Sequence, residues 1–168
     1  MPLSPAHLLF AILIGLGATA LIDLWAILLR SQFSIPSLSM CLLGRWVLHM
    51  PNGTFVHASI GAAAPRSHEC GVGWLAHYLI GVTFGLIFGL LAPAGWFEHP
   101  TLLPALGFGV VTVVIPLFVM QPALGLGFAS AKSPKPMQAR LKSLATHAVF
   151  GVGLYISAWL LSVSVFRG

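Results

Sequence analysis

Four polar side chains interrupt otherwise apolar stretches of this sequence, and their types could support proton transfer or ligand binding. They are Asp23, His77, Gln121 and His147. A carboxylate beside an imidazole can relay protons, and two imidazoles with one carboxylate can also bind a transition metal. An aspartate within a membrane span costs roughly 2.5–3.5 kcal/mol on insertion scales, so it needs a partner inside the protein. We expect His77 or His147 to be the partner of Asp23.

The composition explains why these residues stand out. Of the 168 residues, 58% are hydrophobic and only 7% are charged, against roughly 25% charged in soluble domains. Because so few charges cannot cover a water-facing surface, the chain is predicted to be an integral membrane protein whose main partner is the lipid bilayer. The isoelectric point near 9.9 therefore indicates topology signals and contacts with anionic lipid headgroups, and does not indicate nucleic-acid binding.

Four apolar runs are long enough to cross about 30 Å of hydrocarbon. The predicted fold is all-α and multi-pass, with four transmembrane helices in one domain over residues 1–168. Spans one and three share a Gly-x-Gly start, and spans two and four share a His-x-x-x-Gly start, which is consistent with two related helical hairpins. We place the spans near residues 7–29, 73–92, 101–123 and 141–165.

The basic residues predict the orientation of the chain. Seven of the eight lie in the two loops that share one side of the membrane, namely Arg30, Arg45, Arg66, Lys132, Lys135, Arg140 and Lys142. By the positive-inside rule this side is cytoplasmic, which places both termini outside a bacterial inner membrane. Cys41 and Cys70 then lie in the cytoplasmic loop 30–72, where thiols stay reduced, so we expect no disulfide.

A short helix is predicted within this loop, over residues 37–50, because prolines bracket that stretch. Cys41, Arg45 and His49 follow one another at intervals of four residues and therefore share one face of the helix. Apolar residues surround that face, so we expect the helix to lie at the level of the lipid headgroups. Further along the loop, His68-Glu69-Cys70 groups three types of metal ligand, but without a CxxC motif we favour a polar loop over a metal site.

The predicted topology places the four intramembrane polar residues at a similar depth. His77 lies about four residues inside the cytoplasmic end of span two, and His147 about six residues inside that end of span four. Asp23 and Gln121 reach about the same depth from the opposite direction. The sequence thus predicts one polar layer in the cytoplasmic half of the membrane. Its alternative role is structural, since interhelical hydrogen bonds contribute about 0.6–2 kcal/mol each.

A glycine follows each intramembrane histidine by one helical turn: Gly81 follows His77, and Gly151 follows His147. Such glycines allow close helix packing, and they leave room for a neighbouring helix, a ligand or a haem face. We expect no definite cofactor. The alternatives are haem b held by the two histidines, or a transition metal held by both histidines and Asp23.

Several blocks of the sequence resemble, over nearly the whole chain, a bacterial inner-membrane family catalogued as domain of unknown function 2938. The blocks include IPSLSMCLLGRWVLHMPNGTFVH, GWLAHYLIG, HPTLLPALGFG and SPKPMQARLKSLATHAVFGVGLY. The resemblance implies a four-span membrane protein. It carries over no catalytic residue.

Three classes of function remain open. In the first, the protein moves or senses a small solute, an ion or a proton through the polar layer. In the second, it is a structural or assembly protein whose polar residues fix the helix register. The third is a membrane-embedded enzyme acting on a lipid or quinone, with Arg45 and His49 contacting the headgroup. Because four short helices enclose little volume, we expect a homo-oligomer or a complex with a membrane partner.

Overall fold

The computed structural model describes residues 5–166, and it describes side chains over residues 5–164. In this part of the chain 76% of residues are helical and there is no strand, which confirms the predicted all-α fold. A π-helical turn occupies Pro116–Met120. The α-helices are α1 (Pro5–Phe33), α2 (Met40–His49), α3 (Glu69–Leu91), α4 (Leu102–Thr112), α5 (Gln121–Ala123) and α6 (Pro136–Phe166).

The prediction of four membrane spans is confirmed. Helices α3 and α6 begin before the predicted spans, because helical structure continues beyond the apolar residues into more polar sequence. Four stretches are long and apolar enough to cross a membrane: Pro5–Phe33, Glu69–Leu91, Leu102–Ala123 and Pro136–Ser164.

The third span is interrupted where the sequence places a proline. Helix α4 ends at Thr112, and from Pro116 to Met120 the backbone forms the π-helical turn before α5 begins. Proline has no backbone N–H, and its ring clashes with the preceding helical turn. The irregularity of span three therefore lies at this proline.

The chain divides into two compact units. Unit 1 comprises residues 1–35, 78–111 and 146–168, and unit 2 comprises residues 36–77 and 112–145. Unit 1 contains α1 and the larger parts of α3, α4 and α6. Unit 2 contains α2, the start of α3, the π-helical turn, α5 and the start of α6.

Helices α1 and α3 pack closely in unit 1 through small residues. A side chain at Gly81 would collide with the hydroxyl of Thr19, and one at Gly85 would collide with the backbone of Ala11 and Gly15. Such close approach favours helix association in lipid, where packing and hydrogen bonds replace the hydrophobic effect. The space beside Gly81 is thus taken by a neighbouring helix, which is one of the three occupants expected from the sequence.

Helices α4 and α6 make a second close contact in unit 1. A Cβ added at Gly109 would lie 2.6 Å from the Cα of Gly151 and 2.6 Å from the carbonyl oxygen of His147. A Cβ added at Gly151 would lie 2.6 Å from the carbonyl oxygen of Ala105. The space beside Gly151 is therefore also filled by a neighbouring helix.

Aromatic rings fill much of the core of unit 1. Phe88 and Trp96 meet edge to face with ring centroids 4.7 Å apart, and Phe84 contacts Phe150 in the same way at 5.9 Å. Edge-to-face pairs of this kind add to the stabilisation that packing provides. The residues buried in this core include Phe10, Ile14, Phe88, Trp96, Phe97, Phe150 and Leu154.

In unit 2 the loop helix α2 packs against the first turns of α3. The sequence predicts this helix over residues 37–50, and the structure places it at Met40–His49. A side chain at Gly44 would collide with the carbonyl oxygen of Glu69, and one at Gly73 would collide with that of Met40. The two glycines therefore let the backbones touch. The location of α2 at the headgroup level stays a prediction.

This contact overturns one expectation, since Cys41 of α2 and Cys70 of α3 form a disulfide. The expectation of reduced thiols rested on the reducing compartment alone, and it was wrong about the bond in this structure. The physical reason lies in the packing: the crossing at Gly44 and Gly73 brings two cysteines that are 29 residues apart within bonding distance. In this state Cys70 cannot serve as a thiolate ligand with its neighbours in sequence.

Candidate functional site

Asp23 lies on α1 and has a hydrogen-bond partner on α3 within unit 1. The hydroxyl of Tyr78 donates to Oδ2 of Asp23 at 2.8 Å, in a partly buried setting. A hydrogen bond of this kind offsets part of the cost of placing a carboxylate in a span. The sequence predicts a histidine as the partner and overlooks this tyrosine, although Tyr78 is one of only two tyrosines and directly follows His77.

His147 of α6 also belongs to unit 1. Its half-buried side chain makes a hydrogen bond with the backbone of Gly109 on α4. The contact lies at the glycine crossing of α4 and α6, so the packing that brings the backbones together also positions the ring. The prediction that His147 pairs with Asp23 stays a prediction.

His77 and Gln121 belong to unit 2. The half-buried ring of His77 meets the ring of Trp74, one turn earlier on α3, edge to face with centroids 5.9 Å apart. Gln121 is 6% exposed and accepts a hydrogen bond from the hydroxyl of Ser130 at 2.7 Å. Its amide nitrogen donates to the hydroxyl of Ser143 at 3.2 Å. The sequence offers no pattern that identifies these two serines as its partners.

The predicted polar residues are therefore divided between the two units, with Asp23 and His147 in unit 1 and His77 and Gln121 in unit 2. The arrangement of all four in a single layer stays a prediction. Over the residues that the structure describes, no group of three or more His, Cys, Asp or Glu side chains lies close enough to hold a metal ion.

Arg45 is the centre of a second polar cluster, which ties α2 to the loop before α3. Its Nε and Nη2 donate to the two carboxylate oxygens of Glu69, each at 2.8 Å. Its Nη1 donates to the carbonyl oxygen of Ala63 at 3.0 Å and lies 3.4 Å from those of Ile60 and Gly61. The hydrogen bond with Glu69 raises the pKa of Arg45. Each guanidinium nitrogen thus has a partner within the protein.

His49, which follows Arg45 by one turn, lies next to His57. The two rings meet edge to face with centroids 5.1 Å apart. Nε2 of His49 lies 3.0 Å from the carbonyl oxygen of Ala64 and 3.4 Å from Nε of Arg66. Burial, and then the charge of His49, lower the pKa of His57. Within residues 5–164, the enclosed Nε2 of His57 has no hydrogen-bond partner.

Two cations in the first turns of α6 are also engaged by backbone carbonyls in unit 2. Lys142 donates to the carbonyl oxygen of Pro36 at 2.7 Å. Nε of Arg140 donates to the carbonyl oxygen of Ala129 at 2.7 Å. Together with Arg45, these contacts show that basic residues of α2 and α6 stabilise the fold of unit 2.

Comparison with known proteins gives one family. A family model described as protein of unknown function, DUF2938, matches residues 12–161. No curated protein and no solved structure matches the chain. The match spans most of the chain, from α1 to α6, and it confirms the resemblance that the sequence blocks indicate.

Proposed function

The chain belongs to the family of proteins of unknown function DUF2938, and we propose that it moves or senses a proton, an ion or another small solute through polar residues of its spans. The observation that carries the proposal is the hydrogen bond between Tyr78 and Asp23 at 2.8 Å. It places a carboxyl group and a phenol in contact within the hydrophobic part of α1 and α3.

A carboxylate inside a span is expensive, and such residues commonly mark ion pathways or proton relays. Asp23 can take up a proton on either oxygen. Tyr78 can donate to the ionised form and accept from the protonated form by rotating its hydroxyl. The pair can therefore hold a proton without leaving a charge in lipid. His147 of the same unit supplies a further group that can bind a proton.

A structural role is the second candidate. Tyr78 already satisfies one oxygen of Asp23, and the glycine contacts between α1 and α3 bring the backbones together without any chemistry. In this case the pair only fixes the register of the two helices. A membrane-embedded enzyme, or a metal- or haem-binding protein, is a third candidate.

We also propose the location of the protein. Seven of its eight basic residues lie in, or next to, the two connections that join spans one and two and spans three and four, which supports a cytoplasmic position for those connections and external termini. The membrane is then the bacterial inner membrane. A homo-oligomer, or a complex with another membrane protein, would enlarge the enclosed volume.

The test is proton flux into proteoliposomes that contain a pH-sensitive dye, driven by a potassium diffusion potential. If Asp23 carries the flux, Asp23→Asn removes it, because an amide does not bind protons in this pH range. Tyr78→Phe slows the flux and changes its dependence on pH. Glu98→Gln is the matched control, since Glu98 is a carboxylate outside the spans, and this variant keeps the wild-type rate.

The outcomes separate the candidates. A wild-type flux that Asp23→Asn leaves intact contradicts the proton role of Asp23. No flux in any variant, together with a lower unfolding midpoint for both Asp23→Asn and Tyr78→Phe, supports the structural role.

A further inference from the structure

The two cysteines occupy equivalent positions at the starts of two helices. Cys41 is the second residue of α2, and Cys70 is the second residue of α3. Cys70 is exposed and Cys41 is half-buried. Cys70 is therefore the more accessible of the two residues to an external thiol.

The disulfide is one of several contacts between the two helices. Gly44 and Gly73 let the backbones of α2 and α3 touch, and Arg45 holds Glu69 through two hydrogen bonds. We expect these contacts to persist when the sulfur–sulfur bond is broken. The two thiols then stay close together, which favours rapid closure of the bond.

The surroundings also stabilise a thiolate. The N-terminus of a helix carries partial positive charge, and thiols placed there ionise more readily. Both cysteines have this position, in helices of 10 and 23 residues. The negative charge of Glu69 beside Cys70 is balanced by Arg45. Each cysteine is thus suited to be a leaving group and an attacking group in thiol exchange.

We propose that Cys41 and Cys70 form a reversible dithiol–disulfide site that exchanges with an external dithiol. In the first step, a thiolate of that dithiol attacks Sγ of Cys70, and Cys41 leaves as a thiolate. In the second step, the other thiolate of the reductant attacks its own mixed-disulfide sulfur and releases Cys70. The reductant becomes a disulfide, and its two electrons and two protons end on the two cysteine thiols.

A cytoplasmic position of the two cysteines would make the bond reversible. This step rests on the orientation proposed above. With the loops in the cytoplasm, glutathione and dithiol proteins keep most thiols reduced. A disulfide in that compartment is typically transient, and it serves catalysis or redox sensing. The site then responds to a change in the thiol balance of the cell.

The first experiment titrates the full chain in detergent against mixtures of reduced and oxidised dithiothreitol, followed by acid quenching and labelling with a maleimide of high mass. The expected result is a single transition from two labelled thiols to none. Cys41→Ser and Cys70→Ser each keep one labelled thiol throughout. Cysteines that stay reduced, or a bond that opens only after denaturation, would overturn the proposal.

A second experiment tests the part played by helix packing, with a matched pair of variants on α3. Gly73→Ala places a methyl group against the backbone of Met40, whereas Gly71→Ala places one in open space. Displacing α2 separates the thiols, so Gly73→Ala slows disulfide formation by about tenfold or more. Gly71→Ala forms the bond at the wild-type rate. Equal rates in both variants would contradict the role of the helix contact.

A third experiment fixes the thiol state in intact cells by acid quenching. The expected result is two thiols in unstressed cells and a disulfide after exposure to diamide. A complete disulfide under both conditions overturns the reversible site. Because this readout does not depend on proton flux, a failure here is distinguishable from a failure of the Asp23 proposal.

Discussion

Replacing Gly109 by alanine should weaken the packing of α4 against α6 and with it the whole of unit 1. The added Cβ would lie 2.5 Å from the backbone nitrogen of Gly151 and 2.6 Å from the carbonyl oxygen of His147. Ordinary contacts of a Cβ begin at about 3.4 Å, so the helices must separate by roughly 0.9 Å. The obstructing atoms belong to the backbone, so no side chain can rotate to make room.

The size of the effect follows from two opposing terms. Over-packing of this kind costs about 1–3 kcal/mol. Alanine is about 1 kcal/mol more favourable than glycine inside a helix, which offsets part of the loss. Gly107→Ala gains the same helix propensity but causes no clash, since nothing lies within 4 Å of a Cβ at Gly107. The difference between the two variants therefore isolates the packing term, and we expect it to be about 1–3 kcal/mol.

The assay is unfolding of the purified protein in mixed micelles, with rising mole fraction of sodium dodecyl sulfate, followed by circular dichroism. We expect Gly107→Ala to unfold at or above the wild-type midpoint and Gly109→Ala to unfold earlier. Equal midpoints for the two alanine variants would refute the inferred contact between α4 and α6. A lower unfolding midpoint for Gly107→Ala than for Gly109→Ala would also refute it.

Three further predictions concern the other polar groups. Gln121→Leu leaves the hydroxyl of Ser130, which is 1% exposed, without its acceptor, so the unfolding free energy falls by about 1–3 kcal/mol; an unchanged midpoint would show that this hydrogen bond contributes little. The folded-state pKa of His57 is lowered, so the protein is most stable above the ordinary histidine value near 6.5 and loses stability as pH falls through and below it. His57→Phe should flatten the dependence of the melting temperature on pH. If this substitution leaves the slope unchanged, the pH dependence arises from other titratable groups. Metal analysis and visible spectra of the purified protein should show no stoichiometric metal and no Soret band, whereas a signal lost in both His77→Ala and His147→Ala would identify a cofactor site.

The sequence was sufficient for the features that depend on local composition and spacing. Apolar runs of span length predicted the four long helices, and bracketing prolines predicted the helix within residues 37–50. The glycines beside the histidines predicted close packing, because only residues without a large side chain let helices approach in lipid.

The sequence was insufficient where the result depends on how the helices are rotated. Neighbouring residues on a helix point about 100° apart, so the rotation of α3 decides which of its side chains face α1. Residue type alone did not indicate a tyrosine beside Asp23, whereas the hydroxyl of Tyr78 donates to it in the structure. The pairing of Asp23 with a histidine stays a prediction. Likewise, Cys41 and Cys70 meet only because two distant glycines let α2 cross α3. No local sequence pattern predicts that crossing of α2 and α3.

Basic side chains near the ends of the spans have two separate roles. One is their proposed role in membrane orientation, and the other is the contacts that they make in the folded protein. Under the proposed orientation, the lysines and arginines of the loops act during insertion, before the loops fold. In the folded protein Arg45, Arg140 and Lys142 are held by a carboxylate or by backbone carbonyls. The carboxylate of Glu69 balances the charge of Arg45, whereas the carbonyl oxygens that hold Arg140 and Lys142 leave those charges in place. We expect loss of one of these three residues to leave the proposed orientation to the remaining basic residues, and to remove a contact of unit 2 that none of them replaces.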